Sequence, residues 1–190
     1  MKKSLLYIVA FTFILFSCNQ PNKSTIPFKQ AYQNYLNNLS EDQLKKLKVI
    51  KTIPEFSLYT LSGKNIEIGT NMQKTTVLVF FATWCPACER ALPEIDSKIG
   101  GKWGDKINLL AIGREHNMDD LKLWSQKSNI KMEVTEDPQR FIYSKFANQS
   151  IPRVYVTDKN GNVIFQSTGW KSDIINWIDQ AIESLNENAI

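Results

Sequence analysis

Apolar residues follow three different patterns along the chain. An almost unbroken apolar run occupies residues 5–16, directly after a start that carries two lysines. Residues 28–47 place apolar side chains at helical spacing, whereas from Ile53 onward short apolar or alternating runs are separated by turn residues. These patterns predict a targeting segment, a helical extension and a domain that contains both strands and helices.

The helical extension is predicted to contain two short helices. The apolar stripe of the first consists of Phe28, Tyr32, Tyr35, Leu36 and Leu39. Ser40 and Gln43 form a capping-box pattern, which predicts the start of the second helix. Because this segment carries no chemistry of its own, we interpret the aromatic stripe as a packing surface.

The remaining runs predict the order of elements in the domain. Continuous apolar runs at residues 77–81 and 107–112 indicate strands that are buried on both faces. Turn residues at 62–65 and 158–161 lie between short apolar segments and predict two hairpins. After the first hairpin the predicted order is β-α-β-α-β-α-β-β-α, which indicates an α/β domain.

Composition narrows the class of protein. The chain has 190 residues, of which 43% are apolar, so it can form the core of one ordinary domain and is not disordered. Lys and Arg exceed Asp and Glu by four. Two of those lysines lie in the targeting segment, so the rest of the chain has a net charge of about +2. It lacks the concentrated basic surface that binds nucleic acid. Three cysteines are too few for a disulfide-stapled mini-protein.

The N-terminal run is predicted to direct the chain out of the cytoplasm. It is shorter than the about 20 residues that a spanning helix requires, and its layout is that of a secretory signal. Leu15-Phe16-Ser17-Cys18 resembles the lipobox of bacterial lipoproteins, which implies cleavage before Cys18 and lipid attachment to it. An ordinary signal peptide with a nearby cysteine is the alternative.

These features divide the chain into three predicted parts. Residues 1–17 form a lipoprotein signal peptide, residues 18–52 a lipidated tether with the helical extension, and residues 53–190 the folded domain. We expect the protein to be a membrane-anchored lipoprotein of the cell envelope that faces the periplasm. The lipid at Cys18 would be its anchor.

Cys85 and Cys88 lie where a predicted buried strand turns into a helix. Two cysteines three residues apart in a first helical turn face the same way, so their sulfurs can bond with little movement of the backbone. Unpaired amides and the positive end of the helix dipole point at the first sulfur and favour a thiolate there. Pro86 suits the first helical position, because its missing N–H has no partner to lose.

Three separated motifs resemble the TlpA/ResA-type thiol-disulfide oxidoreductases of the thioredoxin-like superfamily. Residues 80–88 (FFATWCPAC) are similar to that group's strand and active-site signature, and Ile151-Pro152 with the turn that follows is similar to its cis-proline loop and hairpin. Residues 54–58 resemble its N-terminal hairpin. Over residues 53–185 the resemblance implies a thioredoxin-like fold, with a central mixed sheet flanked by helices and an N-terminal β-hairpin.

The resemblance also implies roles for individual residues. Cys85 would be the exposed attacking thiolate and Cys88 the resolving thiol. Pro152, if cis, would place the Ile151 backbone beside the sulfurs, where it could pair with an extended substrate segment. Trp84 would shield one side of the sulfur pair. The expected substrate-contacting residues are therefore Trp84, Pro86, Ile151 and Pro152.

Two positions depart from the family pattern. Ala91 stands where this group commonly has a glutamate near the second cysteine, and Val79 stands where cytoplasmic thioredoxins have a buried aspartate. No carboxylate is therefore obviously placed to accept the proton of Cys88. Water and Glu94 are the two alternatives.

Three other uses of a cysteine pair compete with redox exchange. A structural zinc site would need Cys85, Cys88, His116 and a carboxylate, whereas His116 is expected in a charged surface loop. A permanent structural disulfide would close a very short loop and stabilise the fold little. A peroxidatic thiol is a third alternative, but the residues before Cys85 differ from the peroxiredoxin arrangement.

The sequence thus predicts a membrane-tethered thiol-disulfide oxidoreductase, and the resemblance favours reduction over oxidation. Its expected partners are disulfide-bearing envelope proteins, with apocytochrome c as one candidate client, and a membrane electron donor. We expect no cofactor, no metal and no nucleic-acid partner. The alternative function is a non-catalytic thioredoxin-fold module that binds at the membrane surface through the extension.

Overall fold

A computed structural model of the chain describes residues 27–187, so the predictions for residues 1–17 and Cys18 lie outside the described residues. The elements, in chain order, are α1 (Phe28–Asn37), α2 (Glu41–Leu47), β1 (Phe56–Tyr59), β2 (Asn65–Ile68), β3 (Thr75–Phe81), α3 (Pro86–Glu94), α4 (Gly101–Trp103), β4 (Ile107–Arg114), α5 (Met118–Ser128), β5 (Glu133–Asp137), α6 (Tyr143–Phe146), β6 (Arg153–Thr157), β7 (Val163–Thr168) and α7 (Ile174–Glu187). Within this part of the chain, every helix is too short or too polar to cross a membrane.

Five strands form the central sheet in the order β5-β4-β3-β6-β7. β3 and β5 run parallel to β4, whereas β6 runs antiparallel to both β3 and β7. This arrangement confirms the predicted α/β fold with a mixed sheet and the predicted order of elements. All seven residues of β3 are buried, as expected for a central strand covered on both faces.

Helices and the first hairpin cover the two faces of the sheet. One face packs against α3 and α7, through the buried residues Val77, Val79, Leu92, Ile178 and Ile182. The other face packs against α6 and the β1–β2 hairpin, through Leu58, Ile68, Leu78, Phe80, Tyr143 and Phe146. Alternating residues of β3 therefore contribute to both halves of the core.

Both predicted hairpins are present. β1 pairs with β2, and β6 pairs with β7 across a turn in which the Asp158 carboxylate accepts hydrogen bonds from the amides of Asn160 and Asn162, at 2.9 and 2.8 Å. Gly161 in this turn has a φ of +76°. A Cβ atom there would lie 2.7 Å from the carbonyl oxygen of Gly69, so the close approach of two loops requires glycine.

The helical extension packs along the outer strand β7. The Tyr32 ring of α1 lies 5.2 Å from that of Phe165 and 6.0 Å from that of Trp177. The prediction that the aromatic stripe is a packing surface is confirmed. The predicted capping box is also present, because Ser40 and Gln43 each bond the other's main-chain N–H.

Candidate active site

The candidate active site lies at one edge of the sheet, where β3 ends and α3 begins. β6 runs antiparallel to β3, and its first residue, Arg153, pairs with Phe80 near the end of β3. The loop that precedes β6 therefore reaches the same edge as the cysteine pair. This topology brings Cys85 and Ile151 together although they are 66 positions apart in sequence.

Cys85 caps the N-terminus of α3, and Pro86 occupies the first turn. A disulfide joins Cys85 to Cys88. The main-chain N–H of Cys88 donates to Cys85 Sγ at 3.2 Å. In the reduced protein, this donor and the N-terminal end of the helix dipole stabilise negative charge on Cys85, as the spacing of the two cysteines predicted.

The loop before β6 supplies the other side of the site. The Ile151–Pro152 peptide bond is cis, as the family resemblance implied. The carbonyl oxygen of Ile151 lies 3.9 Å from Cys85 Sγ. The structure thus brings Cys85, Cys88, Ile151 and Pro152 together in one place.

The two sulfurs differ in accessibility. Cys85 is 6% exposed and Cys88 is 0% exposed. The prediction of an exposed Cys85 was therefore wrong in degree, because its sulfur is bonded to Cys88 and also faces the Ile151 carbonyl. Cys85 is still the more accessible member of the pair, which is the order that attack by Cys85 and resolution by Cys88 require.

The two acids nearest to Cys88 in sequence, Glu89 and Glu94, do not take the place of the acid that the family pattern has there. Ala91 and Val79 are fully buried in the apolar cluster that encloses Cys88. Glu94 forms an ion pair with Lys98 at 3.5 Å, and Glu89 is exposed. Because Glu94 has this surface partner, the arrangement favours water over Glu94 as the proton acceptor.

His116 is buried, and the prediction that it lies in a surface loop was wrong. Its Nε2 accepts a hydrogen bond from the main-chain N–H of Thr83 at 3.0 Å, and its residue exposure is 8%. Burial lowers the pKa of His116 below its ordinary value of 6.5, against the opposing effect of Asp120 and Glu115. The neutral imidazole therefore holds the segment between β3 and Cys85.

The exposed Trp84 stacks on a second buried polar residue. The guanidinium of Arg114 lies 5.5 Å from the centroid of the Trp84 ring and 5.0 Å from that of Tyr143. Arg114 also donates to the Glu115 carboxylate at 3.2 Å. Cation–π contacts of this kind fix the position of the indole next to the cysteine pair.

Hydrogen bonds connect Tyr143 to the loop that carries the cis peptide bond. Its hydroxyl donates to the carbonyl oxygen of Ser150 at 2.7 Å. The buried Asp137 carboxylate accepts from the amides of Ile142 and Tyr143, at 3.0 and 2.7 Å. Asp137 thereby positions the start of α6, and Tyr143 in turn holds the loop.

The zinc alternative finds no support in the described residues. Among residues 27–187, no group of three or more His, Cys, Asp or Glu side chains could hold a metal ion. His116 directs Nε2 at Thr83, and the two proposed sulfur ligands are joined to each other.

Sequence reasoning missed four polar residues that shape the site, namely Arg114, His116, Tyr143 and Arg153. Arg114 and His116 belong to a charged stretch that begins at the end of a buried strand, a pattern that is typical of a solvated loop. Arg153 directly follows Pro152 and precedes the apolar residues of β6. A charged residue at the head of a strand buried on both faces was the available signal of a buried polar contact.

The chain is similar to known proteins over most of the described region. A model of the AhpC/TSA family matches residues 49–166. The thiol-disulfide oxidoreductase ResA of Bacillus thuringiensis is 26% identical over 126 residues, which cover 66% of this chain and 72% of ResA.

Solved structures share the fold. The pneumococcal exposed lipoprotein thioredoxin Etrx1 of Streptococcus pneumoniae aligns with a TM-score of 0.57 and 25% identity, covering 70% of this chain and 99% of Etrx1. StoA of Bacillus subtilis aligns with a TM-score of 0.58 and 19% identity, over 67% of this chain and 98% of StoA. These alignments confirm the thioredoxin-like fold.

Proposed function

The chain belongs to the AhpC/TSA family, and from this premise we propose that it is a membrane-tethered protein that reduces disulfides in other proteins of the cell envelope. It is a thiol-disulfide oxidoreductase, the activity for which the similar ResA proteins are named. The Cys85–Cys88 pair carries the exchanged electrons.

One observation carries the proposal above all others. Cys85 lies at the N-terminus of α3, accepts the N–H of Cys88, and faces the main chain of the cis Ile151–Pro152 loop. A disulfide that only stabilised the fold would need none of these features. This disulfide would also stabilise the fold little, because closing a four-residue loop constrains the unfolded chain little. An exchanging pair needs both a stabilised thiolate and a backbone that receives the partner.

The reaction begins with the reduced pair. The Cys85 thiolate attacks one sulfur of a client disulfide, so a mixed disulfide forms and one client sulfur leaves as a thiolate that takes up a proton. The Cys88 N–H donates to the Cys85 sulfur before the attack, and the Ile151 backbone lies where an extended client segment can pair with it.

The second step completes the exchange. Cys88 loses its proton to water and attacks Cys85 Sγ, which releases the second client sulfur and closes the Cys85–Cys88 disulfide. Two electrons have then passed from the cysteine pair to the client, and both client thiolates have taken up protons from water, which received the protons of the pair. The oxidised pair that this step leaves has the Cys85–Cys88 disulfide that is also present in the structure. A dithiol donor at the membrane would return it to the reduced state.

The lipid tether and the clients are inferred from the sequence and from similar proteins. The lipobox-like sequence that ends at Cys18 supports a lipid anchor, and the structurally similar Etrx1 is itself named a lipoprotein. Clients would be envelope proteins with accessible disulfides, with apocytochrome c as one candidate. Reduction is favoured over oxidation by the resemblance to the ResA group.

Insulin reduction tests the proposed activity. The full-length chain, purified in mild detergent, is mixed with insulin and dithiothreitol, and the precipitation of the freed insulin B chain is followed by turbidity. We expect the wild type to accelerate precipitation, and we expect the Cys85→Ser variant to match dithiothreitol alone, because the attacking sulfur is missing.

Two results would speak against the proposal. A wild type no faster than dithiothreitol alone would favour the non-catalytic binding module. Equal acceleration by the wild type and by Cys85→Ser would show that the activity resides elsewhere. A Cys85→Ser variant with an unchanged circular dichroism spectrum provides the control for folding.

A further inference from the structure

Arg153 is a fully buried cation next to the candidate active site. It directly follows the cis proline and is 0% exposed. Within residues 27–187, none of the ion pairs includes Arg153. Burying a charge is costly unless polar groups surround it, so the groups that bind this guanidinium explain why it is tolerated.

Four main-chain carbonyl groups surround the guanidinium. Nη1 donates to the carbonyl oxygen of Leu47 at 2.7 Å, and Nη2 donates to those of Lys46 and Gln149, the latter at 2.9 Å. Nε donates to the carbonyl oxygens of Gln149 and Ser150, at 3.1 and 3.2 Å. All three nitrogens of the side chain are therefore engaged.

Two of these carbonyls belong to the helical extension. Lys46 and Leu47 are the last residues of α2, where carbonyl groups have no partner within the helix and carry the negative end of its dipole. The guanidinium binds this end of α2 from within the domain. At its other end, α2 is held by the capping box of Ser40 and Gln43.

The other two carbonyls belong to the active-site loop. Gln149 and Ser150 immediately precede Ile151, whose carbonyl oxygen lies 3.9 Å from Cys85 Sγ. Ser150 has a φ of +70°, a conformation that a non-glycine residue keeps only when its surroundings hold it. Arg153 on one side and the Tyr143 hydroxyl on the other bond its carbonyl oxygen.

We propose that Arg153 is a positioning residue for disulfide exchange, which ties the loop before the cis proline to the C-terminus of α2. The proposal rests on the proposed function, since it assigns the loop the task of receiving a client's main chain. It makes α2, which precedes the family-matched segment 49–166, part of the scaffold of the active site.

The proposal predicts an effect that depends on the size of the substrate. A protein disulfide lies in an extended segment that pairs with the backbone at Ile151, whereas a small aromatic disulfide needs only the sulfur of Cys85. Loosening the loop should therefore impair the first reaction and spare the second. General loss of structure would impair both reactions equally.

The test compares Arg153→Met and Arg153→Lys with the wild type as full-length chains. We expect Arg153→Met to lower kcat/KM for insulin by about tenfold or more, because small displacements of positioning groups have large effects on rate. The rate with 5,5′-dithiobis(2-nitrobenzoate) should fall less than about threefold. Arg153→Lys should recover part of the loss, since an ammonium group still donates up to about three hydrogen bonds.

A second variant tests the link from the other end. Ser40→Ala/Gln43→Ala removes the capping box of α2 at exposed positions, and it should lower insulin reduction while sparing the small disulfide. Glu41→Gln is the matched control, because it leaves the capping box intact and removes only the exposed ion pair with Lys45 and one of the two acidic charges of the first turn, so it should change neither rate. If Arg153→Met does not fold, these two variants test whether the link from α2 to the active-site loop supports insulin reduction.

Hydrogen exchange separates this proposal from the proposed function. The Gly169 N–H donates to the carbonyl oxygen of Pro152, at the end of this loop, at 2.9 Å. Faster exchange of this amide in Arg153→Lys, with unchanged exchange in β3, supports the positioning role even if the wild type reduces nothing. Unchanged exchange of the Gly169 amide would overturn it. If the wild type reduces insulin, equal losses with both substrates in the folded variants, or no loss with insulin, would overturn it as well.

Discussion

At the scale of single residues, the site depends on buried polar side chains that bond main-chain groups. His116 accepts the N–H of Thr83 on one side of the sulfur pair, and Arg153 binds the carbonyls of Gln149 and Ser150 on the other. Neither residue reacts. Both fix the backbone that carries or faces Cys85.

The His116 bond makes stability depend on pH. Only an unprotonated Nε2 can accept the Thr83 N–H, and burial lowers the pKa of His116 below 6.5 in the folded chain. Below pH 6.5 the unfolded chain therefore binds a proton more readily than the folded chain does. The contribution of His116 is complete above pH 6.5 and is lost as the pH falls through the folded pKa.

Urea unfolding of the wild type and of His116→Gln between pH 8 and pH 5 measures this contribution. The glutamine does not titrate but can still accept the Thr83 N–H, so other titrating groups cancel in the difference. We expect the wild type to lose stability relative to His116→Gln as the pH falls below 6.5. If the free energies of unfolding of the two proteins change in parallel with pH, they contradict the role of the unprotonated His116 as the acceptor of the Thr83 N–H.

The sequence predicted the reactive residues better than the residues that hold them. The spacing of Cys85 and Cys88 and the position of Pro86 follow from helix geometry alone, so local reasoning placed them correctly. Arg153 binds residues 106 and 107 positions away, and His116 binds one 33 positions away. Burial of such groups depends on tertiary contacts that no local pattern records.

At the scale of elements, the extension protects the edge of the sheet. β7 is an outer strand, and such a strand leaves unpaired N–H and C=O groups that invite association with other chains. The Tyr32 hydroxyl donates to the carbonyl oxygen of Gln166 at 2.8 Å and accepts the N–H of the same residue at 3.0 Å. Further along, the Val163 N–H donates to the Lys51 carbonyl at 2.8 Å.

Tyr32→Phe should therefore destabilise the fold by about 1–3 kcal/mol, because two buried groups of Gln166 lose their partner. Burial raises the pKa of Tyr32, so its hydroxyl stays protonated and able to donate at all ordinary pH values. Tyr35→Phe is the matched control. Tyr35 is 38% exposed as a residue, and the loss of its hydroxyl should change stability by less than about 0.5 kcal/mol.

Denaturant unfolding of both variants gives the two free energies. Equal effects of Tyr32→Phe and Tyr35→Phe would show that Tyr32 contributes through its ring alone.

The sequence predicted that the aromatic stripe packs, since its helical spacing is plain. It did not predict where, because the edge that the stripe covers forms about 130 residues later in the chain.

At the scale of the whole molecule, a thioredoxin-like body follows a predicted lipid tether. The order of strands and helices was predicted correctly, because both hairpins and the buried strands β3 and β4 have local signatures of their own. The residues of β5 were not identified, since Glu133–Asp137 alternates polar and apolar side chains only briefly. The site lies at the end of β3 because the topology brings the start of α3 and the loop before β6 to that end of the sheet.

The tether can be tested in the living cell. We expect an alkyne analogue of palmitate to label the wild type in a bacterial host, and we expect Cys18→Ser to lose the label, because the lipid would be attached at that residue. Cys85→Ser is the matched control and should keep the label. An unlabelled wild type, or a labelled Cys18→Ser variant, would contradict the anchor.

The central claim is that Cys85 attacks and Cys88 resolves. Cys88→Ala retains the attacking sulfur but cannot release a bound partner, so the reduced full-length variant should accumulate a mixed disulfide with insulin chains. Cys85→Ala is the matched control, since its remaining Cys88 is fully buried in the structure.

Intact-mass spectrometry with peptide mapping is the most direct measurement of that claim. The account predicts an adduct that dithiothreitol removes, located on Cys85 in Cys88→Ala and absent from Cys85→Ala. An adduct that forms as fast on Cys88 in Cys85→Ala, or no adduct in Cys88→Ala, would contradict it.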